Sequence, residues 1–152
     1  MDKNILINLI NELLKPLGFK RKGNIWLLEQ GGFSKFLKMQ KSQYSNLFYL
    51  DYGFILNKID VDDFTNRYSK GFETRIDVDG NILDLLDFEN KLDEAFRVSS
   101  LKAIICKDVI ENFNNINSEE EILNDIVSLK NEKLIFKNIR QYFKIKPDGR
   151  SL

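Results

Sequence analysis

The chain contains no histidine. That removes the commonest general base, the commonest metal ligand and every catalytic triad built on imidazole. Cys106 is the single cysteine, so there is no intrachain disulfide and no CxxC metal knuckle. Net charge is absent too: 23 Lys and Arg balance 23 Asp and Glu, so no long-range field recruits nucleic acid or an anionic membrane. No window approaches the ~20 uninterrupted apolar residues of a membrane span. At the N-terminus, Asn4, Asn8, Asn11 and Glu12 interrupt the apolar run that a signal peptide would need. The expectation is a cytoplasmic protein without nucleic-acid or membrane partners, cofactor or metal.

What is present suits a folded domain. An apolar content of 43% is too high for a disordered chain, and 152 residues suffice to bury a real core. We expect one α+β domain over residues 1–145 and a flexible tail over 146–152, where Pro-Asp-Gly breaks regular structure.

The organising stretch is residues 24–56, which reads as three antiparallel strands. Gly31-Gly32 is a two-residue hairpin turn. If it sets the register, Gln30 faces Phe33, Leu28 faces Lys35, Leu27 faces Phe36 and Trp26 faces Leu37. Alternation then places Trp26, Leu28, Phe33, Leu37 and Met39 on one face. Ile25, Leu27, Phe36, Lys38, Gln40 and Ser42 share the other. After a polar turn at 43–46, strand 47–56 is apolar on both sides, as a central strand is.

Around this sheet the pattern is helical. Ile5, Leu6, Leu9, Ile10, Leu13 and Leu14 stack on one face of a helix over 2–15, capped by Asp2 and stopped by Pro16. The basic run Lys20-Arg21-Lys22 reads as a solvated turn before the first strand. A short helix around Phe64–Tyr68 is expected, with Asp62-Asp63 as caps rather than metal ligands. Residues 71–78 and 81–86 read as a second hairpin about Asp79-Gly80, giving a largely antiparallel sheet of about five strands, two hairpins plus a central strand. From about 90 to 113, Leu92, Phe96, Leu101, Ile104, Ile105, Val109, Ile110 and Phe113 recur at helical spacing, with a break near Ser99-Ser100. Cys106 sits beside that stripe and is expected to be a buried structural thiol. Ser118 and Glu121 form a capping box for a helix carrying Ile122, Leu123, Ile126 and Val127. Residues 132–143 fit a last helix or a short strand, helix being the expectation.

The order of these elements resembles a bacterial family catalogued as domain of unknown function 4304. The leading helix runs into Leu17-Gly18-Phe19-Lys20-Arg21-Lys22-Gly23. A strand follows, then Gln40-Lys41-Ser42, the strand from Leu50 to Leu56, Arg75-Ile76 and a helical tail. The resemblance covers roughly residues 5–128. It implies an α+β domain and brings no activity with it.

No catalytic signature is present: phosphate loops and nucleophile elbows are missing. The candidate site is therefore a polar sheet face. Lys38, Gln40 and Ser42 on one strand would lie near Tyr49 and Asp51 on the next, and Arg75 joins them if the second hairpin extends the same sheet. Such a face suits a partner protein or a small ligand. The favoured expectation is a non-catalytic interaction protein, with an immunity-type partner that occludes a toxin or enzyme as one version. The alternatives are a solvated face of cross-strand polar pairs, and a small-ligand or enzymatic domain. The enzymatic version would use two carboxylates from Asp51, Glu73 and Asp77, tuned by Arg75.

Overall fold

The computed structural model of the protein describes residues 2–56, 71–76 and 81–122. Its first element is helix α1, Lys3–Leu14, whose start is capped as the sequence implies: the Asp2 carboxylate accepts from Ile5 N–H at 3.0 Å. Leu6, Leu9, Ile10 and Leu14 are buried along one side. Pro16 lies in a 3-10 turn, Lys15–Leu17, closed by Gly18 at φ +97°. That left-handed conformation suits glycine, and it lets Gly18 N–H and Phe19 N–H return to the carbonyls of Lys15 and Leu14.

Five antiparallel strands follow in sequential order: β1 Lys20–Lys22, β2 Ile25–Gln30, β3 Phe33–Lys41, β4 Phe48–Leu56 and β5 Gly71–Arg75. The hairpin register is the one implied by Gly31-Gly32, with Gln30 opposite Phe33 and Trp26 opposite Leu37. Gly31 takes φ +72°, the conformation that this turn requires. β4 lies inside the sheet between β3 and β5. Its two apolar sides follow from that position.

Two expectations about strands are corrected. Lys20–Lys22 is an edge strand paired to β2, and the turn falls instead at Gly23-Asn24, where Gly23 takes φ +62°. All three side chains are exposed, so an edge strand and a solvated turn have the same composition here. Residues 81–86 are not the second arm of a hairpin: they form helix α2, Asn81–Leu86. Ile82, Leu85 and Leu86 are buried together, and that three- and four-residue spacing outweighs the short apolar run that resembles a strand. The sheet still has five strands, because β1 replaces the strand expected at 81–86.

The inner face of the sheet packs under the helices. Trp26, Phe33, Leu37, Met39, Phe48, Leu50, Phe54 and Leu56 join the α1 side chains in one core. Trp26 is fully buried, and its indole N–H donates to Asn11 Oδ1 at 2.8 Å, so the polar end of the ring is satisfied. Phe113 lies against Phe19, Tyr52 and Phe54 at ring separations of 5.3, 5.9 and 6.0 Å.

The C-terminal helix begins at Asp93, whose carboxylate accepts from Phe96 N–H, and runs as α3, Glu94–Ile105, a π-helical turn, Cys106–Ile110, and α4, Glu111–Asn115. The expected break at Ser99-Ser100 is absent, and the irregularity falls one element later. Its cause is legible in the buried residues Leu101, Ile105, Val109 and Phe113, each four positions after the last. With about 3.6 residues per turn, every such step overshoots a full turn by roughly 40°. A wider turn takes up the drift, with Glu111 N–H bonding the Cys106 carbonyl five residues back. Cys106, at the first position of that turn, is half-buried rather than buried.

Phe96 is 58% exposed and Leu92 39% exposed, so neither belongs to the expected stripe. Arg97 is buried in their place. Its guanidinium donates to the carbonyls of Leu85, Asp87 and Asn90 and lies 5.5 Å from the centre of the Phe88 ring. The loose carbonyls at the end of α2 and just past it thereby gain donors. Beyond α4, the Ser118 hydroxyl accepts from Glu121 N–H at 3.1 Å and Glu121 accepts from Asn117 N–H, so the expected cap opens a helix at 119–122. The expectations for residues 57–70, for Asp79-Gly80, for the helix beyond 122, for 132–143 and for the tail lie outside the described residues. Among the described residues no helix is long and apolar enough to cross a membrane.

Candidate functional site: the outer face of the sheet

Register alone brings most of the candidate residues together. Lys38 pairs with Asp51 and Asp51 with Arg75 across β3, β4 and β5, while Gln40 pairs with Tyr49 one step further along. All five lie on the face opposite the core, by the two-residue alternation of strands. Ser42 lies just past the end of β3. Its N–H donates to the Leu47 carbonyl and its hydroxyl accepts from Tyr44 N–H, so it shapes the β3–β4 connection. Glu73, on the same face of β5, belongs with the cluster although the sequence singled it out less strongly.

The charges interlock. Arg75 Nε donates to Asp51 Oδ1 at 2.9 Å and Nη2 approaches Oδ2 at 3.4 Å. Lys38 Nζ lies 2.7 Å from Glu73 and 4.0 Å from Asp51. The Asp51 side chain is only 3% exposed, so these contacts replace the water it has lost. Hydrogen bonding to Asp51 raises the already high pKa of the Arg75 guanidinium, the largest of several influences. On its other side the guanidinium covers the Tyr49 ring at 4.2 Å. One carboxylate beneath and one aromatic ring beside it therefore hold Arg75 in place, while 48% of its side chain faces solvent.

The outer face divides into two halves. Toward the Gly31 turn, Ser34, Phe36 and Ile55 are buried, at 0%, 0% and 2% exposure. Toward the β3–β4 connection, Ile25, Lys38 and Tyr49 are half-buried and Gln40 and Arg75 are exposed. The open half carries the candidate residues. It does not arrange them as an acid and a base: Asp51 is buried, and both Asp51 and Glu73 already engage cations. Asp77 lies outside the described residues. Among the described residues no group of three His, Cys, Asp or Glu is placed to hold a metal ion.

One further cation escaped the reading of the sequence. Lys35 belongs to the inner face, is 4% exposed, and donates from Nζ to the carbonyl of Phe113 in the last turn of α4. The clue was available, because the strand parity that places Leu37 inward also places Lys35 inward. Its role is to supply a donor and positive charge to a helix end whose carbonyls have run out of N–H partners.

No curated protein and no solved structure matches the chain. The family described as Domain of unknown function (DUF4304) matches it over residues 10–135, a span running from the middle of α1 through the sheet and past α4. An N-terminal helix, a five-stranded antiparallel sheet and C-terminal helices thus accompany a match over most of the sequence, and the chain belongs to the DUF4304 family.

Proposed function

We propose that the protein is a non-catalytic cytoplasmic interaction protein whose open outer sheet half engages another protein. The observation that carries this reading is the Arg75–Tyr49 pair, stacked at 4.2 Å and anchored on the buried Asp51. Arg and Tyr are favoured at the energetic centres of interfaces, where a rigid side chain loses little entropy on binding. An immunity-type role, in which this face occludes a toxin or enzyme, is one form of the proposal. Asp51 and Glu73, two of the three carboxylates of the enzymatic reading, are engaged with Arg75 and Lys38, which favours recognition over proton transfer.

Co-purification from the protein's own host at physiological salt, followed by native mass spectrometry, tests the proposal. The expected result is a protein partner whose retention falls on the order of 30-fold in Tyr49→Ala, the effect of removing a hot-spot residue. The melting temperature of the variant is measured alongside. Retention that Tyr49→Ala leaves unchanged sinks the proposal. A small metabolite that co-purifies in place of a protein, and is lost in Arg75→Ala, establishes the small-ligand reading instead.

A further inference from the structure

Among the described residues of the open half of the outer face, Lys22, Lys38 and Arg75 stand against Asp51 and Glu73; Glu73 pairs with Lys38 at 2.7 Å, which leaves Lys22 and Arg75 as the cations that face outward. A single register row crosses all five strands as Lys22, Ile25, Lys38, Asp51 and Arg75. Lys22 is exposed on the edge strand. Lys38 and Arg75 stand beside Asp51, whose side chain is almost entirely buried, so the cations of this row are nearer to solvent than its anion. Arg75 Nη1 makes no hydrogen bond among the described residues, and its guanidinium is already oriented by Asp51 and Tyr49. A guanidinium edge held in one plane is matched to a carboxylate. Gln40, exposed beside Tyr49, adds an uncharged donor and acceptor.

Deepening the interaction reading above, we infer that the partner presents an acidic protein segment to this face, with carboxylates meeting Arg75 and Lys22 and the chain lying across the strands. Four inter-strand steps of about 4.8 Å separate β1 from β5, close to the reach of about six extended residues. The segment is therefore short and carries carboxylates near both ends. The zero net charge of the whole chain is consistent with this, because the recognition is local rather than steered by a global field.

A fluorescein-labelled oligoglutamate peptide of about eight residues, followed by anisotropy, is the probe. Wild-type protein binds it and binding weakens with added salt. Lys22→Glu and Gln40→Glu, both at exposed positions, each reduce affinity about ten-fold or more by placing like charge in the row. Lys107→Glu, at an exposed helix position, leaves it unchanged. Equal loss in Lys107→Glu and Lys22→Glu overturns the inference, as does a wild type that ignores the peptide; the lysines of β1 then only guard a sheet edge. Single-stranded DNA or inorganic phosphate that displaces the peptide at equal concentration also overturns it, in favour of a general anion site. The two readings fail separately. A co-purified partner lost in Tyr49→Ala but indifferent to Lys22→Glu and Gln40→Glu removes the acidic segment and keeps the interaction.

Discussion

Lys35 and Lys38 stand three residues apart on β3, point to opposite faces, and serve opposite ends. Lys35 is enclosed under the C-terminal helix and donates to a main-chain carbonyl. Lys38 is part of the outer network with Glu73 and Asp51. Enclosed on the inner face, Lys35 completes a helix end, so that cation is structural. On the outer face cations meet carboxylates in partial contact with water, where such pairs contribute little stability. A charged residue in a strand is therefore informative only once its face is known.

The largest way to break this contrast is at the inner face itself. Trp26→Ala removes a fully buried indole and leaves Asn11 without its donor, and is expected to cost about 3–5 kcal/mol in urea denaturation. A loss comparable to that of an exposed residue would mean that the inner face is not the core. Next comes Lys35→Ala, expected to cost about 1–3 kcal/mol because the Phe113 carbonyl loses its donor in a dry site. Arg75→Ala follows at about 1–2 kcal/mol: among the described residues Asp51 then keeps only Lys38 at 4.0 Å, but the half-exposed guanidinium limits the effect. Lys38→Ala is the smallest, below about 1 kcal/mol. If Lys38→Ala proves more damaging than Lys35→Ala, the structural and surface roles are reversed.

A pH titration of stability sharpens the same comparison. Burial lowers the pKa of the Lys35 ammonium from its ordinary 10.5, with Glu121 acting in the opposite direction. In the alkaline window below 10.5 the unfolded chain then binds more protons at this residue than the folded one. Its contribution makes stability rise with pH there, and the cost of enclosing the charge is fully present at lower pH. Lys35→Met removes that contribution. The stability of wild type should rise relative to that of Lys35→Met as pH climbs through this window; a constant difference across the alkaline range would contradict the assignment.

Local signals served well where one short-range rule dominates. Gly31-Gly32 was enough to set the β2–β3 register residue by residue, because a two-residue turn leaves no slack. Asp2 and the apolar spacing after it placed α1 to within a residue or two. The α+β class and the gathering of Lys38, Gln40, Tyr49 and Asp51 follow from the same parity. The Asn81–Leu86 segment failed because six residues are too few for a strand period and a helix period to separate, and an adjacent Asp-Gly biased the reading. Phe96 left the expected stripe and Arg97 is buried instead for a different reason: the carbonyls at the end of α2 and just past it need donors that a long cation reaches.

What the sequence determined unaided is the local geometry: where the chain turns, which residues alternate and which helix face is apolar. These depend on neighbours within a few positions, and sterics acts on them without knowledge of the rest. Tertiary structure alone decided that Lys35 reaches the Phe113 carbonyl, that a wide helical turn keeps Leu101 and Phe113 on one side, and that Asp51 is covered while Arg75 stays open. Each depends on groups far apart in sequence, and the dielectric around a charge is set by whatever the fold lays over it.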